Sequence, residues 1–177
     1  VDEPDLNRQL LYTPADIGSS KAECAAANVR KNNEHCTVIS RSEPLTSDSF
    51  MAVYQPQAEL VLFDCVDTMA ARADFDRIHS RYGIPIFHAA VERWYGQVSS
   101  LVVGNVGYDS ILPEGWRDSA QPPKPIMPHV VTMAASLQVG EFVQWLSDGQ
   151  PSLSDSLLHI DGKHSAFRNF RRTGGNA

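Results

Sequence analysis

The most constraining stretch of the chain is LVLFDCVD at residues 60–67. Four apolar residues lead into two carboxylates, Asp64 and Asp67, and residues 68–82 follow with apolar side chains at helical spacing. This pattern predicts a buried parallel strand that delivers both carboxylates to the carboxyl edge of a sheet, where open α/β folds bind ligands. We therefore expect the chemistry of the chain at this edge.

The order of the predicted elements indicates an α/β fold. Helices are predicted at residues 21–33, 48–54, 68–82 and 130–146, and strands at residues 36–40, 60–65, 86–91 and within 92–103. Alternation of the two types predicts a Rossmann-like mixed, mostly parallel sheet flanked by helices. The strand within 92–103 has no helix before it, so it is expected to pair antiparallel and extend the sheet. A C-terminal hairpin is predicted at residues 157–170, turning at Asp161-Gly162.

Three other features bear on how the chain is organised. Residues 105–129 carry five of the eleven prolines and no periodicity, which predicts a long loop that serves as a lid, a crossover or a binding segment. The segment 171–177 is predicted to be a disordered tail. The chain opens in a loop with no preceding strand and helix, so we expect a single domain over residues 1–170 that is incomplete at its N-terminus.

Composition excludes several classes of function. The net charge of -6 gives no broad basic surface, which disfavours nucleic acid as a partner. Cys24, Cys36 and Cys65 stand singly, so neither a disulfide framework nor a four-cysteine zinc site is expected, and a cytoplasmic setting is the simplest interpretation. The most apolar window, residues 130–146, contains Glu141 and is too short for a membrane span, so no membrane association is expected.

Five short blocks of sequence occur in order along almost the whole chain. They are DLNRQLLY at residues 5–12, DIGSSKA at 16–22, DCVDTMAAR at 64–72, WYGQV at 94–98 and SLQVGE at 136–141. These blocks resemble, in the same order, those of the ThiF/MoeB/HesA family, the bacterial relatives of ubiquitin-activating E1 enzymes. The WYGQV block and the lack of zinc-binding cysteine pairs are similar to HesA-like members, so no zinc is expected.

The resemblance implies an adenylyltransferase. It implies a homodimer that uses ATP and Mg2+ to adenylate the C-terminal glycine of a ubiquitin-like sulfur-carrier protein and releases pyrophosphate. Arg8, Lys21 and Asp67 would be catalytic, and Asp67 would bind Mg2+. The nucleotide contacts would come from Asp5, Asn7, Arg8, Gln9, Lys21, Asp64, Asp67 and Thr68. The guanidinium of Arg8 and the ammonium group of Lys21 would stabilise negative charge on phosphoryl oxygens. The carboxylate of Asp67 is an oxygen ligand of the kind that Mg2+ prefers.

The chain also departs from the family pattern. Asp5 stands where the family usually has Asn, and Pro4 replaces a Ser. No G-x-G-x-x-G motif occurs, so the nucleotide loop of the family would lie before Val1. The alternative hypothesis is therefore a catalytically inactive or truncated E1-like protein that acts as a dimerisation and carrier-binding module.

Each candidate residue also has a purely structural interpretation. Asp67, just before a helix, would cap that helix, and Asp64, at a strand end, would be buried and hydrogen-bonded. Cys65 is expected to be a core thiol whose pKa is raised by burial. His88 is expected to be a buried imidazole with its hydrogen bonds satisfied.

Overall fold

The structure is a computed structural model that describes residues 1–54, 59–102, 107–112 and 125–172. The chain divides into two compact units, Val1–Pro44 and Leu45–Ala177.

The first unit is built around helix α1, Lys21–Asn32. The helix begins at Ser20, whose Oγ accepts a hydrogen bond from the Glu23 backbone N–H at 3.5 Å. Two short 3₁₀ helices, Glu3–Asn7 and Pro14–Asp16, precede it. The helix predicted at residues 21–33 is confirmed, and it follows from the alanine-rich spacing and the serine cap.

The strand predicted at residues 36–40 is wrong. These residues form no strand, and Ile39 in their middle is 76% exposed. Their β-branched side chains favour extended backbone, but a strand is stabilised by a neighbouring strand and a buried face, and this segment has neither in the described part of its unit.

Within its described residues, the second unit contains a five-stranded mixed sheet. Its strands, in spatial order β1-β2-β3-β4-β5, are β1 Leu62–Asp64, β2 Ile86–Glu92, β3 Tyr95–Leu101, β4 Ser156–Asp161 and β5 Ala166–Arg171. β1 and β2 pair parallel, and the other three pairings are antiparallel. The α/β class, the antiparallel extension and the terminal hairpin are confirmed, although the described sheet holds more antiparallel pairing than the sequence predicts.

The helices of the second unit end within about two residues of the predicted positions, 82 and 146. Helix α2, Met69–Tyr82, closes at Gly83 with φ +65°, and helix α3, Pro128–Asp148, closes at Gly149 with φ +78°. Both glycines adopt the left-handed conformation that favours glycine after a helix. The helix predicted at residues 48–54 is only a 3₁₀ helix, Ser49–Ala52.

The two helices cover opposite faces of the sheet. Val130 and Ala134 of α3 pack against Val98 of β3 and Ile160 of β4. On the other face, a second cluster joins Phe75 of α2 to Ile86, Leu101, Tyr108 and Ile111. The sheet is therefore held between helices in the way expected for an α/β protein.

Two expectations about loops and ends are partly outside the described residues. Of the loop predicted at 105–129, residues 105, 106 and 113–124 lie outside them, while Tyr108–Ser110 forms a 3₁₀ turn and α3 already begins at Pro128. The predicted tail begins too early, because Arg171 belongs to β5 and Arg172 donates to the Ser100 carbonyl at 2.6 Å. Residues 173–177 are not described.

Candidate functional site

A buried carboxylate organises the polar side chains of the first unit. Asp5 is only 6% exposed. Its Oδ2 accepts from Lys21 Nζ at 2.8 Å and from the Asp2 backbone N–H at 2.9 Å. Its Oδ1 accepts from Gln9 Nε2 at 3.3 Å and from Arg8 Nη2 at 3.5 Å. We call Asp5, Arg8, Gln9 and Lys21 the Asp5 cluster.

Local backbone structure brings these four side chains together. The backbone N–H groups of Arg8 and Gln9 donate to the Asp5 carbonyl at 3.1 and 2.9 Å, which turns the chain after the first 3₁₀ helix. Arg8 Nη1 also donates to the Pro4 carbonyl and to Asn7 Oδ1, each at 2.9 Å. Lys21 reaches the same carboxylate from the first turn of α1.

The cluster carries two cations and one anion. The hydrogen bond from Lys21, followed by that from the Asp2 backbone, holds the pKa of Asp5 below its usual value, so the carboxyl stays ionised. The side chains of Arg8 and Lys21 remain 20% and 45% exposed, respectively. This arrangement suits a polyphosphate, because the surplus charge is positive and both cations are open to solvent.

In the second unit, Asp64 lies at the end of β1 and is completely buried. Its Oδ2 accepts from His88 Nδ1 at 2.6 Å, from Tyr108 Oη at 2.8 Å and from Arg72 Nε at 3.1 Å. Burial acts to raise the pKa of Asp64, but the hydrogen bond from His88, the positive charge of Arg72 and the hydrogen bond from Tyr108 outweigh it and lower the pKa. The structural interpretation of Asp64 fits these contacts, and its contact with nucleotide stays a prediction.

His88 is fully buried and hydrogen-bonded at both ring nitrogens. Nδ1 pairs with Asp64, and Nε2 lies 3.0 Å from Gln97 Nε2, an amide donor. A neutral ring protonated at Nδ1 satisfies both partners, because Nε2 then accepts. Burial is the main cause that lowers the pKa of His88. The predicted satisfied imidazole is therefore confirmed.

Asp67 lies just beyond this network and is exposed. Thr68 is the cap of α2, because its Oγ1 accepts from the Ala71 backbone N–H at 3.3 Å. In the described ranges, no hydrogen bond or ion pair engages the Asp67 carboxylate. The structure thus gives Thr68 the capping role that sequence assigned to Asp67, and it leaves Asp67 open to a ligand.

A metal at Asp67 would depend on ligands from the substrate. No group of three or more His, Cys, Asp or Glu side chains that would hold a metal occurs among the residues the structure describes. Mg2+ commonly uses one or two carboxylates and completes its shell with phosphate oxygens and water. One open carboxylate, in the segment between β1 and α2, fits that pattern of binding, and it does not fit a site built only from protein side chains.

The prediction that Cys65 is a core thiol is wrong. Cys65 is exposed rather than in the core, because β1 ends at Asp64 and the next residue already belongs to the turn. Its Sγ donates weakly to Gln138 Oε1 at 3.7 Å. Atoms packed around the sulfur and the charge of Asp64 raise the pKa of the thiol, as expected.

Three residues of the network were not singled out as site residues from sequence. Arg72 and Tyr108 bind Asp64, and Gln138 donates to the Asp64 and Phe87 carbonyls at 3.0 and 2.7 Å. Gln138 could have been found, since a glutamine at helical spacing from Val130 and Ala134 lies on the buried face of α3. Tyr108 lies in a segment without periodicity, so no pattern marks it.

Comparison with known proteins identifies the family. The sequence profile of the ThiF family matches residues 1–176. The chain belongs to the ThiF family. The resemblance seen in the five sequence blocks is thereby confirmed, and the Asp5 cluster and Asp67 both lie within the matched residues.

Relatives of this ThiF family chain include named activating enzymes. It is 25% identical over 179 residues to the Adenylyltransferase and sulfurtransferase MOCS3 of Caenorhabditis briggsae, covering 94% of this chain and 42% of that protein. It is 27% identical over 175 residues to the SAMP-activating enzyme E1 of Haloferax volcanii, covering 94% and 62%. The chain therefore spans less than two thirds of the length of these relatives.

Solved structures share the fold of the ThiF family chain. Escherichia coli MccB with ATP superposes with a TM-score of 0.80 at 17% identity, covering 97% of this chain and 53% of that chain. PaaA superposes with a TM-score of 0.72 at 15% identity, covering 97% and 61%. At this identity the likeness shows the fold alone. Among the residues that the structure describes, no helix has the length and apolar character to cross a bilayer.

Proposed function

We propose that this ThiF family chain catalyses ATP-dependent adenylation of the C-terminal glycine of a ubiquitin-like sulfur-carrier protein. The observation that carries the proposal is the family match over residues 1–176, within which the cations of the Asp5 cluster remain accessible to a polyphosphate. The names of the relatives support it, since one is named an adenylyltransferase and sulfurtransferase and another a SAMP-activating enzyme E1.

In the proposed reaction, a carboxylate oxygen of the carrier's terminal glycine attacks the α-phosphorus of ATP. The bond from that phosphorus to the bridging oxygen breaks, and pyrophosphate leaves with its electron pair. Negative charge on the phosphoryl oxygens increases as the new bond forms. Arg8, as a fork of N–H donors, and Lys21, as a point charge, would stabilise these oxygens. Neither residue needs to transfer a proton.

The proposal also includes a Mg2+ ion bound by Asp67. The carboxylate would hold the ion, and the ion would neutralise phosphate charge when bound. Asn7 and Gln9 would add neutral contacts to the nucleotide, and Thr68 would fix the direction of the turn that carries Asp67. Asp64 would act as support, because its Oδ2 already accepts hydrogen bonds from Arg72, His88 and Tyr108.

A homodimer and a cytoplasmic setting complete the proposal. The dimer is implied by the family resemblance, and its direct test is the mass of the purified chain by sedimentation velocity. The three free cysteines agree with a reducing compartment.

The test of the function is ATP–pyrophosphate exchange in the presence of ubiquitin-like carriers that end in glycine. We expect exchange that depends on the carrier and disappears when its terminal glycine is removed. Arg8→Ala and Asp67→Ala should each lower the exchange rate by about 100-fold, as for loss of an electrostatic contact to the transition state. Exchange that is absent, or that ignores both substitutions, contradicts the proposal. Carrier binding without exchange would favour the alternative of an inactive carrier-binding module.

A further inference from the structure

We infer that Asp5 is a positioning residue that holds Lys21 and Arg8 together before nucleotide binds, at the expense of affinity for the polyphosphate. This inference rests on the proposed function, and it concerns a position where the family resemblance leads us to expect Asn rather than Asp. Asp5 itself need not touch the nucleotide, because it acts through the two cations that it binds.

The contacts of Asp5 support its role in positioning Lys21 and Arg8. Lys21 and Arg8 are long side chains that lose rotamer freedom when they are fixed, so holding them in place before the reaction removes that loss from the catalytic step. The Asp5 carboxylate binds Lys21 Nζ at 2.8 Å and Arg8 Nη2 at 3.5 Å. The Asp2 backbone N–H at 2.9 Å and Gln9 Nε2 at 3.3 Å fix the carboxylate in turn.

The negative charge of Asp5 also affects the affinity for a polyphosphate. The cluster holds two cations and one anion, so it presents one surplus positive charge rather than two. A phosphate oxygen that approaches Lys21 must compete with a carboxylate oxygen already bound to the ammonium group. Asp5 is thus expected to weaken binding of every polyphosphate while it improves the placement of the cations.

Asparagine at position 5 would change both effects with little change of shape. An amide offers one acceptor oxygen in place of two, and its NH2 group would face cationic donors. The Asp5→Asn protein should therefore bind ATP more tightly, since a negative charge is gone, and should react more slowly, since Lys21 loses its ionic partner and Arg8 loses one of its contacts.

The experiment measures KM for ATP and kcat of the exchange reaction in the wild-type chain, Asp5→Asn and Glu34→Gln. The Glu34→Gln control changes net charge equally, and its side chain is 89% exposed. For Asp5→Asn we expect KM to fall roughly fivefold and kcat to fall about tenfold. The control should match wild type. A residue with a structural role alone would lower the melting temperature without lowering KM, so unchanged or raised KM overturns the inference.

A second measurement does not depend on catalysis. Limited acetylation of the nucleotide-free protein, followed by peptide mass spectrometry, should show Lys21 reacting faster in Asp5→Asn than in wild type. Lys31 and Lys163 are exposed and serve as internal references. Binding of inorganic triphosphate by calorimetry should tighten roughly fivefold in the same variant. If the wild-type chain shows no exchange, the proposed function fails, while these two measurements still decide the role of Asp5.

A third variant, Lys21→Gln, distinguishes loss of the contact between Asp5 and Lys21 from a folding defect in Asp5→Asn. Lys21→Gln removes the strongest partner of Asp5, and the double variant completes a cycle. If Asp5 acts through its two cations, Asp5→Asn should tighten triphosphate binding less in the Lys21→Gln background than in the wild-type chain, because only Arg8 then remains as its partner. An equal effect of Asp5→Asn in both backgrounds would contradict the inference.

Discussion

His88 Nδ1 lies 2.6 Å from Asp64 Oδ2, across the parallel pair formed by β1 and β2. The two residues are direct partners in the strand register, and both are fully buried. The same oxygen also accepts from Tyr108 Oη and Arg72 Nε. A single carboxylate oxygen therefore joins two strands, helix α2 and the 3₁₀ turn at Tyr108–Ser110.

Asp64→Asn should be strongly destabilising. The substitution leaves the buried Arg72 guanidinium without its ionic partner, and breaking one side of a buried ion pair costs about 3–5 kcal/mol. The measurement is the free energy of unfolding from urea titration. Asp48→Asn is the matched control, because Asp48 is exposed, and we expect a change within about 0.5 kcal/mol. A loss below about 1 kcal/mol for Asp64→Asn would mean that the network adds little to stability.

Stability should rise as pH increases toward about 6.5 through His88. Burial lowers the pKa of His88 despite the opposing hydrogen bond to Asp64, so the folded chain keeps this ring neutral. The unfolded chain binds a proton below a His pKa of about 6.5, so the contribution is complete above that pH and is lost as pH falls.

The check is urea unfolding at several pH values for the wild-type chain and for His88→Asn. The slope of unfolding free energy with pH should be smaller in His88→Asn, by up to about 1.4 kcal/mol per pH unit. Identical slopes would show that His88 binds its proton equally in both states. The lowered pKa of Asp64 acts in a different window, because its contribution is lost only below about pH 4.

Tyr108→Phe should lower the free energy of unfolding by about 2 kcal/mol. The ring stays the same, but the buried Asp64 carboxylate loses a donor at 2.8 Å, and hydrogen bonds to charged groups contribute about 1.5–3 kcal/mol. Tyr82→Phe is the control, since among the described residues the Tyr82 hydroxyl donates only to the Met51 sulfur, a weak acceptor. Equal effects of the two substitutions on urea unfolding would refute a special role for Tyr108.

Sequence predicts the parts of this fold that local patterns determine. Helices α1, α2 and α3 follow from apolar spacing with Ser20, Gly83 and Gly149 at their ends, since each signal lies within a few residues of the helix it bounds. The strand predicted at residues 36–40 fails because strand formation depends on a partner and a buried face. β-Branched composition supplies neither of them.

In the candidate site, too, some features can be predicted from sequence and others cannot. Arg8, Lys21 and Asp67 are named by short motifs, which sequence reveals directly. The buried network around Asp64 is not revealed in this way, because Tyr108 and Asp64 are 44 positions apart in the chain and nothing near Tyr108 predicts their hydrogen bond. For Asp5, the motif suggests an anion close to phosphates, whereas the structure shows that Lys21 and Arg8 already neutralise it.

Gly162→Ala and Gly140→Ala should have opposite effects on stability. A Cβ at Gly162 would collide with Val130 Cγ2 and approach the Trp94 carbonyl at 3.1 Å, so overpacking should cost about 1–3 kcal/mol. A Cβ at Gly140 meets nothing within 4 Å, and alanine inside helix α3 should add about 0.5–1 kcal/mol. Thermal unfolding compares the two. A stabilised Gly162→Ala protein would show that the contact between α3 and the hairpin is looser than described.

Asp67→Asn should change the Mg2+ requirement of the exchange reaction more than its ATP requirement. Asp67 is open in the described structure and offers a single carboxylate, so loss of its charge should raise the Mg2+ concentration for half-maximal exchange by at least about tenfold. Asp48→Asn, again exposed and in the second unit, should leave that concentration unchanged. The measurement is a Mg2+ titration of ATP–pyrophosphate exchange at saturating ATP for both variants. If Asp67→Asn instead lowers the rate equally at every Mg2+ concentration, Asp67 contributes to catalysis without holding the metal, and the ion must take its ligands from the nucleotide and water alone.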